Sequence, residues 1–402
     1  MTTMSPYSFT ARKARRLAQR GLSLVELMVG LAIGLVLTLG LFTLISSQSS
    51  AFKTQDDFAR MQENGATALR YIGDSVRMAG FYGYTNDPAT VDTIVGGVNT
   101  AAGGDCGSAT NLPTTNWALN VAVPVYGFPD DGSTGLTSAN VNAILPCILA
   151  ANFLDALPRG QQVLITRSAG GYRIPDTAPV GDLTADLAAQ PNYATTVYLQ
   201  ADPNGGLLFY GNNFAALKAL PSPPTRKLVL PNGTVIDVDI FEYRVHVYYL
   251  RPCSRPAPPP VGDGVNCTGA GDDAGHPIPT LVRQELIGSA MTQVPLVEGI
   301  ERIDFHYGID TSGDGVVHTF KASPTAADWA NVVAVKVSVL VRSPTLSAQQ
   351  DDSAKSYDLN GDGTPDYTCT TFLAADPSAC HYKRKVFSQI FQLRNIAQRR
   401  GA

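Results

Sequence analysis

Three absences shape the N-terminal end of this 402-residue chain. No acidic residue occurs in the first 21 positions, no proline stands between Leu22 and Asp87, and Glu26 is the single ionisable side chain from Leu22 to Ile45. The first leaves Arg12, Lys13, Arg15, Arg16 and Arg20 unopposed, which predicts a cytoplasmic N-terminus by the bias of positive charge. The second removes the residue that most often breaks a helix. The third leaves an apolar run long enough to cross a bilayer core at ~1.5 Å per residue. Further absences exclude function classes. G-x-x-x-x-G-K-[ST], H-E-x-x-H and G-x-S-x-G do not occur, and the five histidines are scattered, so no enzyme constellation is evident. There is no C-x-x-C, and no histidine at ligand spacing from a cysteine, which disfavours zinc. Beyond the first 21 residues, 25 Lys and Arg face 34 Asp and Glu; this acidic balance argues against nucleic-acid binding through a basic patch.

What is present is a pattern of Gly21, Leu22 and Glu26 between a basic stretch and an apolar one. A carboxylate inside an apolar span is costly and by default marks function; the plainer alternative is a single-pass anchor whose Glu26 snorkels or is protonated. Gly30 and Gly34 form a G-x-x-x-G pair, which permits close helix approach or is ordinary glycine tolerance. The pattern resembles the class III signal of type IV pilins and pseudopilins. The resemblance implies cleavage between Gly21 and Leu22 by a prepilin peptidase and N-methylation of Leu22, although many family members have Phe where Leu22 stands. A filament role for Glu26 follows physically. The cleaved Leu22 amine of one subunit, buried among apolar helices, needs a partner charge, and Glu26 of an incoming subunit would supply it.

The domain expectation is a leader over 1–21, a membrane or filament-core helix over 22–45, an amphipathic continuation over 46–80, and a β-rich head over 81–402. Phe58, Met61, Gly65, Leu69, Ile72, Val76 and Ala79 recur at three- and four-residue steps, one apolar stripe. From Phe81 to Thr225 regular signals are sparse; Gln162–Arg167 and Thr195–Leu199 read as strands and the rest as long loops. Further on, Lys227–Leu230 and Thr234–Ile240 flank a Pro-Asn-Gly turn and read as a hairpin. Tyr243 to Tyr249 alternates as a half-buried strand, and strands follow at Thr280–Leu286, Ile300–Tyr307, Val333–Val341 and Lys385–Leu393. Arg283 and Glu285 read as a solvated face, and His246 and His306 as structural. The expected class is α+β, a long N-terminal helix packed on an antiparallel sheet. The order YRVHVYYL, LVRQEL, PLVEGIERIDFHYGIDTSGDG, the valine run from Trp329 to Ser343 and VFSQIFQLRN is similar to PilW-type minor pilins of type IV pilus assembly. The J-type minor pseudopilins of type II secretion share this layout and stay open as the rival.

The PilW resemblance implies a protein held in the inner membrane with a periplasmic head, later placed at the pilus tip. Its partners would be other minor pilins, the major pilin, prepilin peptidase and a tip adhesin, and its output twitching motility and attachment. Six cysteines, Cys106, Cys147, Cys253, Cys267, Cys369 and Cys380, lie beyond the apolar run and fit disulfides of an oxidising compartment. Sequential pairing is expected, because each pair flanks a Gly- or Pro-rich loop. Asp358, Asn360, Asp362 and Asp366, with the Thr364 carbonyl, have the spacing of an EF-hand-like Ca2+ loop. Position 12 is Cys369 rather than an acid, so Asp351 or Asp352 would have to complete the shell; the alternative is a solvated Asx-turn loop. Asp310, Ser312 and Asp314, with His318 at position 9, make a shorter and weaker version that reads more simply as a hairpin turn.

Overall fold

The computed structural model describes residues 23–85, 90–93, 121–128, 136–155, 160–174, 183–269, 271–288, 290–347, 350–372 and 376–400. Helix α1 runs Leu24–Met78. The chain divides into two units, one up to Asp56 and one from Asp57 onward. In the first, the apolar side chains of α1 from Leu24 to Ile45 are exposed. In the second, Met61, Ala68, Leu69, Ile72 and Val76 are buried, each large apolar side chain contributing about 1.5–3 kcal/mol. The stripe departs from expectation at its start: Phe58 is 42% exposed, and Asp57 is buried in its place. Asp57 accepts from Lys383 Nζ at 2.9 Å and from Thr345 Oγ1 at 3.0 Å, so its burial is offset by an ion pair.

The strands follow in chain order: β1 Val91–Thr93, β2 Val125–Phe128, β3 Val163–Ile174, β4 Val197–Asp202, β5 Gly205–Tyr210, β6 Lys227–Val229 and β7 Val235–Asp237, then β8 Ile240–Arg251, β9 Thr280–Ile287, β10 Ala290–Glu298, β11 Ile300–Ile309, β12 Thr319–Lys321, β13 Val332–Arg342 and β14 Arg384–Gln392. A last helix, Arg394–Arg400, is designated α2 here. Among the described residues these strands form three sheets. The largest has the order β1-β5-β4-β8-β3-β2, with β9 also paired to β8 and β10 to β9; the second is β12-β11-β13-β14; β6 and β7 pair alone. Pairing is antiparallel except between β1 and β5, which run parallel.

Side-chain alternation splits the large sheet between two cores. Tyr243, Val245, Val247 and Tyr249 of β8 join Val163, Ile165, Leu199 and Val282 on one face. Tyr248 and Leu250, with Leu164 and Leu281, join the buried residues of α1 and the inward valines of β13 on the other. The strand expected as half-buried at Tyr243–Tyr249 is therefore covered on both faces, by the preceding segment on the Tyr243, Val245, Val247 and Tyr249 side and by α1 on the His246 and Tyr248 side, with Arg244 partly exposed. In the described part of that segment, Phe81–Thr225, the strands expected at Gln162–Arg167 and Thr195–Leu199 fall in β3 and β4, and β1, β2, β5 and short helical turns form where loops were expected. The β4–β5 turn was legible as Asp202-Pro203-Asn204-Gly205, a Pro-Asn pair between two short apolar runs. Arg283 and Glu285, expected on a solvated face, are only about one-fifth exposed and pair at 2.5 Å.

Two glycines set how closely α1 meets β14. A Cβ at Gly65 would stand 2.5 Å from Phe387 Cδ2, and one at Gly73 would overlap Phe391. Ser75 adds a polar tie, with its Oγ 2.9 Å from His246 Nδ1 and 2.6 Å from the Tyr248 hydroxyl. His246 Nε2 is 3.7 Å from Glu285 Oε1. Burial lowers the His246 pKa, so the ring is neutral. Its interaction with His246, then that with Arg283, holds the Glu285 carboxyl down to about 2 against burial.

Two outcomes follow. Gly73→Ala gains up to about 1 kcal/mol in helix propensity but overpacks the Phe391 contact at a cost of about 1–3 kcal/mol. Thermal unfolding is expected to show net destabilisation, whereas Gly30→Ala, with nothing within 4 Å, leaves the head unchanged. Because the Glu285 pKa is depressed in the folded state, its contribution is present above the ordinary carboxylate range and is lost as pH falls from about 5 towards 2. Glu285→Gln is expected to flatten the stability profile over that window.

Candidate functional site

The first candidate surface is the N-terminal part of α1. Ser23 precedes the first helical residue, and its Oγ accepts from the Val25 and Glu26 amides at 3.2 and 3.4 Å. Glu26 Oε2 accepts from the Ser23 amide at 3.3 Å. This is a reciprocal capping box, S-x-x-E. The spacing is present in the sequence, where the carboxylate is expected as a partner for another chain or as a snorkelling or protonated anchor residue. A carboxylate in the first turn also complements the positive end of the helix dipole. The capping bond is long and exposed, so Glu26 remains accessible. Gly21 and Leu22, the expected cleavage and methylation positions, lie outside the described residues.

Further along, Gly30, Gly34 and Gly40 have nothing within 4 Å of an added Cβ. Thr38 Oγ1 donates to the Gly34 carbonyl at 2.8 Å, and Thr43 Oγ1 to that of Gly40 at 2.8 Å. The hydroxyls are thus satisfied within the helix, and the span presents apolar surface with small-residue notches. By length and composition α1 qualifies to cross a membrane, with a mean hydropathy of 2.5 over its most apolar window.

The second candidate is the Asp358–Asp366 loop. Asp358 Oδ1 and Oδ2 accept from the Gly361 and Gly363 amides at 2.5 and 2.8 Å. Asn360 Oδ1 accepts from the Asp362 amide, and Asp362 Oδ1 from the Thr364 amide, each at 2.7 Å. Asp366 is buried and turned onto the loop's own backbone: its Oδ2 accepts from the Leu359 and Asn360 amides at 2.8 and 3.4 Å, and burial followed by nearby Asp304 raises its pKa. Lys336 Nζ reaches the Asn360 carbonyl at 2.5 Å. The expected completing acids are engaged differently. Asp351 caps the Ser353 amide, while Asp352 is buried against Lys355, Tyr357 and Arg384. Asp358 therefore stays half-buried and Asp362 exposed on a formed turn, without a twelfth-position carboxylate.

In the shorter loop, the side chains of Asp310, Asp314 and His318 lie close enough together to share an ion. Asp310, however, is fully buried and accepts from Arg400 Nε of α2 at 2.7 Å. It also accepts from the Ser312, Gly313 and Gly315 amides. With the Arg400 bond and these amides outweighing burial, its carboxyl is held well below the ordinary range. Its charge is already compensated by the protein, as in a structural hairpin turn.

Cys253 pairs with Cys267 and Cys369 with Cys380. Each short loop closure is worth on the order of 3 kcal/mol. Cys147 is also disulfide-bonded; Cys106 lies outside the described residues. The Cys369–Cys380 bridge covers Leu340 on the outer face of β13, together with Leu359 and Tyr367.

Comparison with known families gives two matches. Residues 16–42 match the prokaryotic N-terminal methylation motif, and residues 265–395 match the family described as type IV pilus-assembly protein W. The second region holds β9 to β14, both Asp-rich loops and the Cys369–Cys380 bridge. No curated protein and no solved structure matches the chain. The matches point to a structural component of a pilus, processed at a prepilin signal, with an apolar helix that fits an inner-membrane anchor.

Proposed function

We propose that this PilW-type pilin is a minor pilin that helps to initiate type IV pilus assembly from a tip complex. The observation that carries the reading is the joining, in one chain, of a methylation signal at 16–42 to a PilW region at 265–395. In this reading the protein waits in the inner membrane with its head in the periplasm. It then passes into the filament beside other minor pilins and the major pilin, carries an adhesin, and supports twitching motility and attachment. The exposed apolar surface of Leu24–Ile45 supports it, since such a surface requires lipid or neighbouring helices to cover it. Glu26 exchanges its weak bond to the Ser23 amide for the Leu22 amine of a neighbouring subunit. A charge-assisted contact in a low-dielectric filament core is the stronger of the two.

Glu26→Ala, with Gly21 and Leu22 intact, is expected to be cleaved normally but to give fewer surface pili and reduced twitching. Unchanged pili and motility would contradict the pairing. If deletion of the protein blocked enzyme export and left pili intact, the type II secretion reading would replace this one.

The Asp358–Asp366 loop takes Ca2+ as a structural ion in the same reading, supported by its D-x-N-x-D-G spacing and the exposure of Asp362. Millimolar calcium is expected to raise the Tm of the protein, chelator to reverse it, and Asp362→Ala to remove the response. No shift with calcium would exclude the site.

A further inference from the structure

A cavity of about 430 Å3 lies between the two disulfide-closed regions of the head. Pro252, Pro277 and Pro279 line one side, and Tyr367 and Phe372 another, stacked with centroids 5.5 Å apart and planes 23° from parallel. Its volume is that of a small-molecule site, and mainly apolar walls with a few fixed polar groups are the usual make-up of one.

The polar feature is Arg342, at the end of β13. It is 7% exposed, and its guanidinium stacks 4.1 Å over the Tyr382 ring. Its Nη2 donates to the Pro277 carbonyl, and its Nε has no hydrogen-bond partner. The Glu301 carboxylate stands 3.8 Å from Nη1, beyond hydrogen-bond reach. Glu301 is already committed to Arg384, which grips both its oxygens at 2.6 and 3.0 Å. The Arg342 charge is therefore held in place by stacking and a carbonyl, while its anion is shared with a stronger claimant. Such a buried charge lacks full compensation, and a guanidinium is shaped to receive a carboxylate.

The remaining charges restrict the ligand. Arg302 also lines the cavity but acts on Asp366, and Asp155 and Asp376 face it as well. Each of these two carboxylates is engaged with a serine: Asp155 with the amide and hydroxyl of Ser138, Asp376 with those of Ser378. Their negative charge opposes a dianion such as phosphate and tolerates a single carboxylate at Arg342. The proline and aromatic walls ask for an apolar body rather than a polyhydroxylated one.

We propose that this cavity binds a monocarboxylate with an apolar body, seated with its carboxylate on Arg342 and its body between the prolines and the Tyr367–Phe372 pair. The same chemistry comes from two sources: a free aryl acid, or the C-terminal carboxylate of a peptide whose last side chain is apolar.

The test uses the full chain in detergent and two matched pairs of probes. One pair is 3-phenylpropanoate and 3-phenylpropanamide; the other is a tetrapeptide ending in phenylalanine and its C-terminal amide. Calorimetry or NMR titration is expected to show at least one acid binding ten-fold or more tightly than its amide. Arg342→Gln should erase that difference. A small acid that binds as well as the peptide assigns the site to free acids, and binding by the peptide acid alone assigns it to a protein C-terminus. The proposal fails if neither acid binds at millimolar concentration, if acid and amide bind equally, or if folded Arg342→Gln keeps the preference. The acid-to-amide comparison on the unaltered protein decides the matter even if that variant does not fold.

Discussion

Everything in the head depends on how closely the helix residues from Asp57 to Met78 fit against the two larger sheets. Gly65 and Gly73 leave the space that Phe387 and Phe391 of β14 fill, while Met61, Leu69, Ile72 and Val76 enter the core shared with β8, β11 and β13. Interiors packed to crystal-like density do not absorb an added methyl freely. The fit is anchored at one end by the Asp57–Lys383 ion pair and towards the other by Ser75, His246 and Tyr248. At the other end Asn395 of α2 donates to the Arg77 carbonyl at 3.3 Å. These contacts join the first ordered segment of the head to its last, so the sheets between them are held by a part of the chain made before them.

The same helix shows opposite chemistry toward its start. From Leu24 to Ile45 its apolar side chains are uncovered, and its hydroxyls are turned onto its own carbonyls. That is a surface made for lipid or for other helices. Glu26 fits both settings. Alone, it completes a capping box with Ser23; among other subunits, it is a carboxylate available to an amine. One residue at one position therefore stabilises the helix end and, in the proposed function, supplies an assembly contact.

Much of this was legible in the sequence because its signals were local and strongly periodic. The absence of proline and the single carboxylate marked α1, and alternating valines marked β13. The Gly21-Leu22-Glu26 pattern and the later strand order pointed to the family that both matched regions support. What sequence reading missed depended on distant partners. Tyr243–Tyr249 read as half-buried because nothing local showed that α1 would cover its His246 and Tyr248 face while Phe81–Thr225 covered the other. Asp57 was not in the expected stripe, because its partner Lys383 is more than three hundred residues away. Asp352 read as a spare calcium ligand because its arginine, Arg384, lies on β14, some thirty residues further along the chain. The Arg342 cavity gave no sequence signal, since its walls come from loops that meet only in the folded head.

The central claim is that α1 has two environments: its residues up to Ile45 serve membrane and filament, and those from Met61 to Val76 are core to the head. Hydrogen–deuterium exchange on the full chain in detergent micelles tests it most directly. The account predicts that amides from Met61 to Val76 exchange as slowly as those of β13, and that dissolving the micelle deprotects Leu24–Ile45 without affecting them. Exchange from Met61 to Val76 that is orders of magnitude faster than in β13, or that follows the micelle, would contradict it.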